Sequence, residues 1–199
     1  PAIHRWEPVT GMELEGKILG ILGLGRIGSA VARRALGFGL QVIAWGPTLT
    51  PERAAASGVK MVSEEELFRS ADIVSVHLRY SNLSHDFVNA RRLALLKPTA
   101  LLVDISRSGI VNRQQLAEAL SCDRIARAAT DLCDDGPVNM NDPILAAPRT
   151  VLTPHMAWQT LESYQRTARD SVALILAYPG GRPIHVANSE ALKSPRQAA

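Results

Sequence analysis

From Lys17 onward the chain alternates short apolar runs with stretches of helical spacing. Lys17-Ile18-Leu19-Gly20-Ile21-Leu22 is apolar, Gly23 to Gly28 is glycine-rich, and Ser29 to Leu36 places apolar residues on one helical face, which predicts strand, turn and helix in succession. A second apolar run, Gln41 to Trp45, follows Gly37 and Gly39, which suit a helix stop and the turn back. Thr50-Pro51-Glu52 has the form of an N-cap with proline at the first helical position, and Gly58 ends that short helix. Ser63-Glu64-Glu65-Glu66 reads as a capping box, in which the serine and the third acid satisfy each other's backbone N–H groups. The pattern then predicts a strand over 73–78, a helix over 91–96 stopped by Pro98, a strand over 101–105, a helix over 113–120, a strand over 125–131 and a short strand over 151–153. The longest helical pattern covers 160–178 and is closed by Pro179-Gly180-Gly181. Strands that alternate with helices pair in parallel through right-handed crossovers, so the fold class is α/β with a doubly wound sheet.

Length and composition narrow this further. At 199 residues the chain has room for one domain, or one domain with a small appendage. Hydrophobic residues make up 46% and charged residues 21%, enough to build a core and to exclude wholesale disorder. The formal net charge of +3, spread along the chain, argues against a nucleic-acid partner. Cys122 and Cys133 form no Cys-x-x-Cys pair and there is no histidine cluster, so neither a metal site nor a disulfide framework is expected. The longest apolar stretches fall short of the roughly 18 residues of a membrane span, and no signal-peptide pattern precedes them. The expected setting is cytoplasmic, with no membrane partner.

Gly23-Leu24-Gly25-Arg26-Ile27-Gly28 is a G-x-G-x-x-G loop between a predicted strand and a predicted helix. In that setting Gly23 permits the tight turn, Gly25 lets backbone approach a pyrophosphate, and Gly28 lets the helix pack close to the strand, while the helix N-terminus offers N–H groups to the phosphates. This makes the expected fold a Rossmann-type, three-layer α/β/α arrangement, and Gly23, Gly25, Arg26, Ile27 and Gly28 cofactor-binding candidates. The companion acid that should hold the adenosine ribose at the end of the second strand is missing, because Val42-Ile43-Ala44-Trp45 runs into Gly46-Pro47. Two readings stay open. Gly46 removes the charge that would repel the extra phosphate of NADP, with Thr48 and Arg53 within reach of it, or Gly46-Pro47 is simply a turn and cofactor choice is loose. The cofactor is therefore NAD or NADP, with Gly46 a further cofactor-binding candidate.

The order of motifs resembles the D-isomer-specific 2-hydroxyacid dehydrogenases. It is carried by Gly16-Lys17-Ile18-Leu19-Gly20-Ile21-Leu22 with the glycine loop, Ala71-Asp72-Ile73-Val74-Ser75-Val76-His77-Leu78, Leu95-Leu96-Lys97-Pro98, Ser106-Arg107-Ser108-Gly109 and Leu152-Thr153-Pro154-His155. The resemblance implies hydride transfer between nicotinamide and C2 of a small 2-oxo or 2-hydroxy acid. It implies that Arg107 grips the substrate carboxylate, as a forked guanidinium is suited to do, and that His155 is the acid/base that serves the substrate oxygen. It places His77 beside the cofactor and Asp131 near the nicotinamide carboxamide. The family glutamate that orients the histidine falls at Gly136, with Asp135 next to it, and the family asparagine before the arginine motif is Asp104.

The resemblance also implies a domain plan. Residues 1–15 are a lead-in segment, 16–160 the dinucleotide-binding domain, and 161–199 a C-terminal helix and tail that would return to a substrate domain largely absent from this chain. It further implies a homodimer formed through this lobe. The competing reading is a dinucleotide-binding or interaction module without full catalysis, suggested by Gly46 and Gly136. A short-chain dehydrogenase is disfavoured, because no tyrosine is followed four residues later by lysine.

Overall fold

The computed structural model describes residues 11–131 and 139–192. It divides into two compact units, one running to Ala157 and one beginning at Trp158. The first is built on a seven-stranded sheet of order β3-β2-β1-β4-β5-β6-β7, with every pair parallel. The strands are β1 (Ile18–Leu22), β2 (Gln41–Trp45), β3 (Lys60–Met61), β4 (Ile73–Val76), β5 (Leu101–Asp104), β6 (Arg127–Asp131) and β7 (Thr150–Thr153). Between them come α1 (Arg26–Gly37), α2 (Pro51–Ala55), α3 (Glu64–Ser70), α4 (Ala90–Leu93) and α5 (Arg113–Ser121). Strand order reverses beside β1, since β2 lies on one side of it and β4 on the other.

Alternation along β1 explains the layers. Leu19 and Ile21 join one buried cluster with Ala32, Ala35, Val42 and Ala44, whereas Leu22 joins a second with Leu67, Phe68, Val76, Leu102 and Leu116. Each face of the sheet is thus sealed by its own helices, as a doubly wound fold requires. Gly20 allows the second face to close, because a Cβ there would meet Leu67 Cδ2 at 2.9 Å. Asp72 fixes the starts of β1 and β4 together, accepting from the Ile18 N–H at 2.9 Å and from Lys97 Nζ at 2.8 Å.

Four local departures from the sequence expectation have physical reasons. Strand β3 has only two residues, too few to leave a periodic pattern. Helix α4 starts a residue early, capped by Asn89, and stops at Leu93; Leu93 and Leu96 are both buried, so turn residues there imitate helical spacing. Ser63 Oγ caps the Glu66 N–H at 3.1 Å as a capping box requires, but the Glu66 carboxylate pairs with Lys60 Nζ at 3.3 Å. A 3-10 helix, Pro143–Ala146, forms where no element was expected, started by Asp142 and anchored by the fully buried Ile144.

The second unit is dominated by α6 (Leu161–Ala177), capped by Thr160 Oγ1, which accepts from the Ser163 N–H at 3.1 Å. Trp158 packs on Tyr164 with ring centroids 5.2 Å apart. Among the described residues no helix is long and apolar enough to cross a membrane.

Candidate active site

The glycine loop sits where β1 ends, at the reversal of strand order. Gly23 has φ +96, and a Cβ on it would lie 2.8 Å from the His77 carbonyl oxygen, so both the turn and the approach of β4 need glycine. A Cβ on Gly28 would strike the Gly23 carbonyl oxygen, which is why α1 can begin so close to the strand. Gly25 differs, since nothing lies within 4 Å of its Cβ position. It is the N-cap of α1, with no side-chain cap and no acid in the first turn, so the first-turn N–H groups face open space. This open, positively polarised cradle fits a pyrophosphate.

Two clefts flank that cradle and share Gly25, His77, Leu78, Arg79 and Tyr80. The first, about 670 Å³, is lined on the β2 side by Trp45, Gly46, Thr48 and Arg53. Its aromatic wall is rigid: Trp45 stacks on Phe87 at 4.9 Å and 19°, and the Arg92 guanidinium lies 3.8 Å from the Phe87 ring centre, tied to Glu64 at 2.6 Å. Gly46 has a negative φ, and a Cβ there would make ordinary contacts at 3.7 Å, so neither backbone nor space demands glycine. The second cleft, about 900 Å³, is lined by Arg26, Ile27, Gly28, Ser106, Arg107 and Ser108 among others. Among the described residues no aspartate or glutamate lines either cleft.

His77 borders both clefts. Its Nε2 lies 2.9 Å from Ser75 Oγ, and burial pushes its pKa down to about 4, so near neutral pH the imidazole is uncharged.

Arg107 emerges from a turn organised by Asp104. That carboxyl is 8% exposed and accepts from both the N–H and the hydroxyl of Ser106, at 3.0 and 2.5 Å. Burial is the main influence on Asp104 and raises its pKa; the Ser106 bonds and Arg113 oppose it, and the Asp131 charge adds to it. Arg107 Nη1 donates to the Ser106 carbonyl at 2.8 Å. The far side of the loop is held by Arg113, which donates to Ser108 Oγ at 2.9 Å and to Asp142 at 2.6 Å.

His155 lies past the end of β7 with φ 51, a left-handed conformation uncommon for a non-glycine residue. The parallel register sets Asp131 beside Thr153, and the buried Asp131 carboxylate holds the turn: it accepts from Thr153 Oγ1 at 2.6 Å, the Met156 N–H at 2.8 Å and the Ala157 N–H at 3.0 Å. His155 Nδ1 is 3.9 Å from Asp131 Oδ2. Burial pushes the Asp131 pKa up, but those three donors and the His155 charge outweigh it and hold the group below the usual carboxylate range.

The structure therefore brings Gly25, Arg26, Ile27, Gly28, His77 and Arg107 to one cleft wall, and Gly25, Gly46 and His77 to the other. Asp131 and His155 pair separately at the ends of β6 and β7, on the same carboxyl edge of the sheet. Gly136 and Asp135 lie outside the described residues. Sequence reading missed the Asp131–His155 pair, although two successive parallel strands ending in Asp131 and Thr153 carry the signal. It also missed Arg79 and Tyr80 as lining residues, which no motif marks.

The sequence model of the D-isomer specific 2-hydroxyacid dehydrogenase NAD binding domain matches residues 3–157. Glyoxylate reductase of Aeropyrum pernix is 37% identical over 191 residues, covering 94% of this chain and 57% of that protein. Among solved structures, the NAD-complexed D-isomer specific 2-hydroxyacid dehydrogenase of Lactobacillus delbrueckii ssp. bulgaricus has a TM-score of 0.79 at 26% identity, over 90% of this chain and 58% of that one. An acyclic imino acid reductase in complex with NADPH and D-arginine has a TM-score of 0.79 at 27% identity, over 94% of this chain and 58% of that one. The chain thus spans little more than half the length of these relatives. With its glycine cradle, parallel sheet and residues 3–157 all matching, the chain belongs to the D-isomer specific 2-hydroxyacid dehydrogenases and carries their NAD-binding domain.

Proposed function

We propose that this chain supplies the cofactor cradle and the reacting groups of an NAD(P)-dependent 2-hydroxyacid dehydrogenase that interconverts a small 2-oxo acid and its 2-hydroxy acid. The observation that carries the reading is the shared cleft wall, on which the pyrophosphate cradle and Arg107 face one space with no carboxylate among its described lining residues. A bound nicotinamide supplies or receives the hydride at the substrate C2. Arg107 holds the substrate carboxylate, and its tether to the Ser106 carbonyl limits the poses it takes. Asp104 fixes the turn from which that arginine emerges. His155 gives a proton to the substrate oxygen on reduction and takes it back on oxidation, with Asp131 keeping the imidazole's turn in place and its positive form compensated. The carboxyl ends of β5 and β7 are two strand spacings apart, about 10 Å, which leaves room for a two- or three-carbon acid between Arg107 and His155. His77, neutral and half-buried between the clefts, lets the cofactor pass without adding charge.

NADP is accepted as well as NAD in this reading, because Gly46 places no carboxylate against a 2′-phosphate. The test is NADH and NADPH oxidation with glyoxylate, hydroxypyruvate and pyruvate. Arg107→Ala and His155→Ala should each lower turnover by about a hundredfold or more while cofactor binding persists. Undiminished turnover in His155→Ala, or cofactor binding with no turnover on any 2-oxo acid, would overturn the enzymatic reading.

A further inference from the structure

The smaller cleft is lined by two guanidiniums that form no ion pair among the described residues. Arg53 follows β2 and Arg79 follows β4, and because those strands flank β1, the arginines line the cleft from its two sides. Arg53 commits one N–H to the Thr48 carbonyl, at 2.7 Å. Among the described residues Arg79 makes neither a hydrogen bond nor an ion pair through its side chain, whereas its backbone is held: Ser84 Oγ donates to the Arg79 carbonyl at 2.8 Å and accepts from the Ser81 N–H at 2.8 Å. An uncompensated arginine on a fixed loop, facing a cleft with no carboxylate among its described lining residues, raises the local potential for an anion.

The pyrophosphate is already provided for by the first turn of α1, with Gly25 and Arg26. The anion left for the Arg53 side of the cleft is a second phosphate on the adenosine half of the cofactor. The stacked Trp45–Phe87 wall gives that half a flat apolar surface, and the Thr48 hydroxyl adds a donor at the rim. Two forked guanidiniums suit a phosphate dianion better than the neutral diol of NAD.

We propose that Arg79 is a specificity-determining residue for the 2′-phosphate of NADP(H), closing with Arg53 a two-sided clamp on the adenosine cleft. The proposal rests on the dinucleotide reading above, and its test separates the two. The chain is titrated calorimetrically with 2′,5′-ADP, which carries the extra phosphate, and with 5′-ADP, which does not. Arg79→Ala and Arg53→Ala should each weaken 2′,5′-ADP by about tenfold to a hundredfold and change 5′-ADP by about twofold at most, a charged hydrogen bond being the only loss. The double variant should bind the two probes about equally. Equal weakening of both probes by Arg79→Ala would move Arg79 to the pyrophosphate and overturn the clamp, as would no weakening of either. Discrimination lost in Arg53→Ala alone overturns Arg79's part and leaves the dinucleotide reading standing. Wild-type chain that binds neither probe overturns both. All variants lie on exposed side chains, and an unchanged thermal midpoint shows that they fold.

Discussion

The adenosine end and the reacting end of this sheet handle charge in opposite ways. Among the described residues no carboxylate lines the cleft that Gly46, Arg53 and Arg79 border, and the Arg53 guanidinium is held by a backbone carbonyl. Around Arg107 and His155 each cationic element stands on an acid: Asp104 organises the arginine turn, Asp142 pairs with Arg113 behind it, and Asp131 sits under the histidine. On the proposed function the first region is an open site for anions. The second is a preset frame, in which buried carboxylates fix where a guanidinium and an imidazole can be. On the proposed function the difference follows from task, because a bound phosphate brings its own charge, while acid/base chemistry needs its groups held before the substrate arrives.

The largest expected break in that contrast is Gly23→Ala, which attacks the cradle between the two regions. The Cβ would press on backbone at 2.8 Å from a residue with φ +96, and neither β1 nor β4 can move away without opening the sheet. A destabilisation on the order of 3 kcal/mol is expected, roughly 6–12 °C in thermal midpoint, together with loss of cofactor binding at both clefts. Gly25→Ala makes the useful control, since its Cβ meets nothing within 4 Å. That variant should keep the wild-type midpoint and lose only affinity. A Gly23→Ala protein of normal stability would show that the close approach to β4 is unimportant.

Next in size is Asp131→Asn, which removes the acid under the reacting end. Three hydrogen bonds now made to a carboxylate would be made to an amide that accepts through one oxygen, at a cost of about 2 kcal/mol. The pH dependence has a definite sign. The folded protein holds Asp131 below its ordinary carboxylate range, so its stabilisation is fully present above the unfolded-state pKa and is lost as pH falls through the lower, folded value. Chemical denaturation from pH 6 down into the acid range should therefore show a steeper loss in the wild type than in Asp131→Asn. Parallel curves would mean that the carboxylate's charge does not hold the turn. Turnover should fall through kcat more than through KM, because the histidine rather than the substrate carboxylate loses its support.

How far each region could be read from sequence follows the same division. The cradle was legible because its demands are local: a turn, a close approach and a helix start act within Gly23 to Gly28, and each leaves a glycine. The doubly wound parallel sheet was legible because alternation of strands and helices leaves few topologies, although the two-residue β3 left no mark. The frame under His155 was not, since Asp131 and Thr153 are 22 positions apart and meet only through the β6–β7 register. Arg79 was invisible for another reason. It lies on a loop with no periodicity, and its importance depends on which cleft that loop borders. Length misled mildly at α4, where two buried leucines in a turn copied a helix.

The smallest expected effect on stability, and the one that makes the first region resemble the second, is that of Gly46→Asp. The position tolerates a side chain, because its φ is negative and its Cβ would rest at 3.7 Å from Leu49 Cβ and from Gly23 Cα. Stability should stay within about 0.5 kcal/mol. What changes is the field in the adenosine cleft, where a carboxylate would stand at the end of β2 opposite whatever the ribose carries. It would accept from a 2′-hydroxyl and repel a 2′-phosphate, so the ratio of NADP(H) to NAD(H) affinity should fall by on the order of a hundredfold, within the several kcal/mol that like-charge juxtaposition costs. Part of that repulsion should be screened in high salt, since the cleft is open to solvent. An unchanged ratio would mean that residue 46 does not face the ribose and that the missing acid is an accident of the turn. A ratio that falls only while Arg53 is present would show that the carboxylate acts by neutralising the arginine, and the adenosine end would then owe its preference to the guanidiniums.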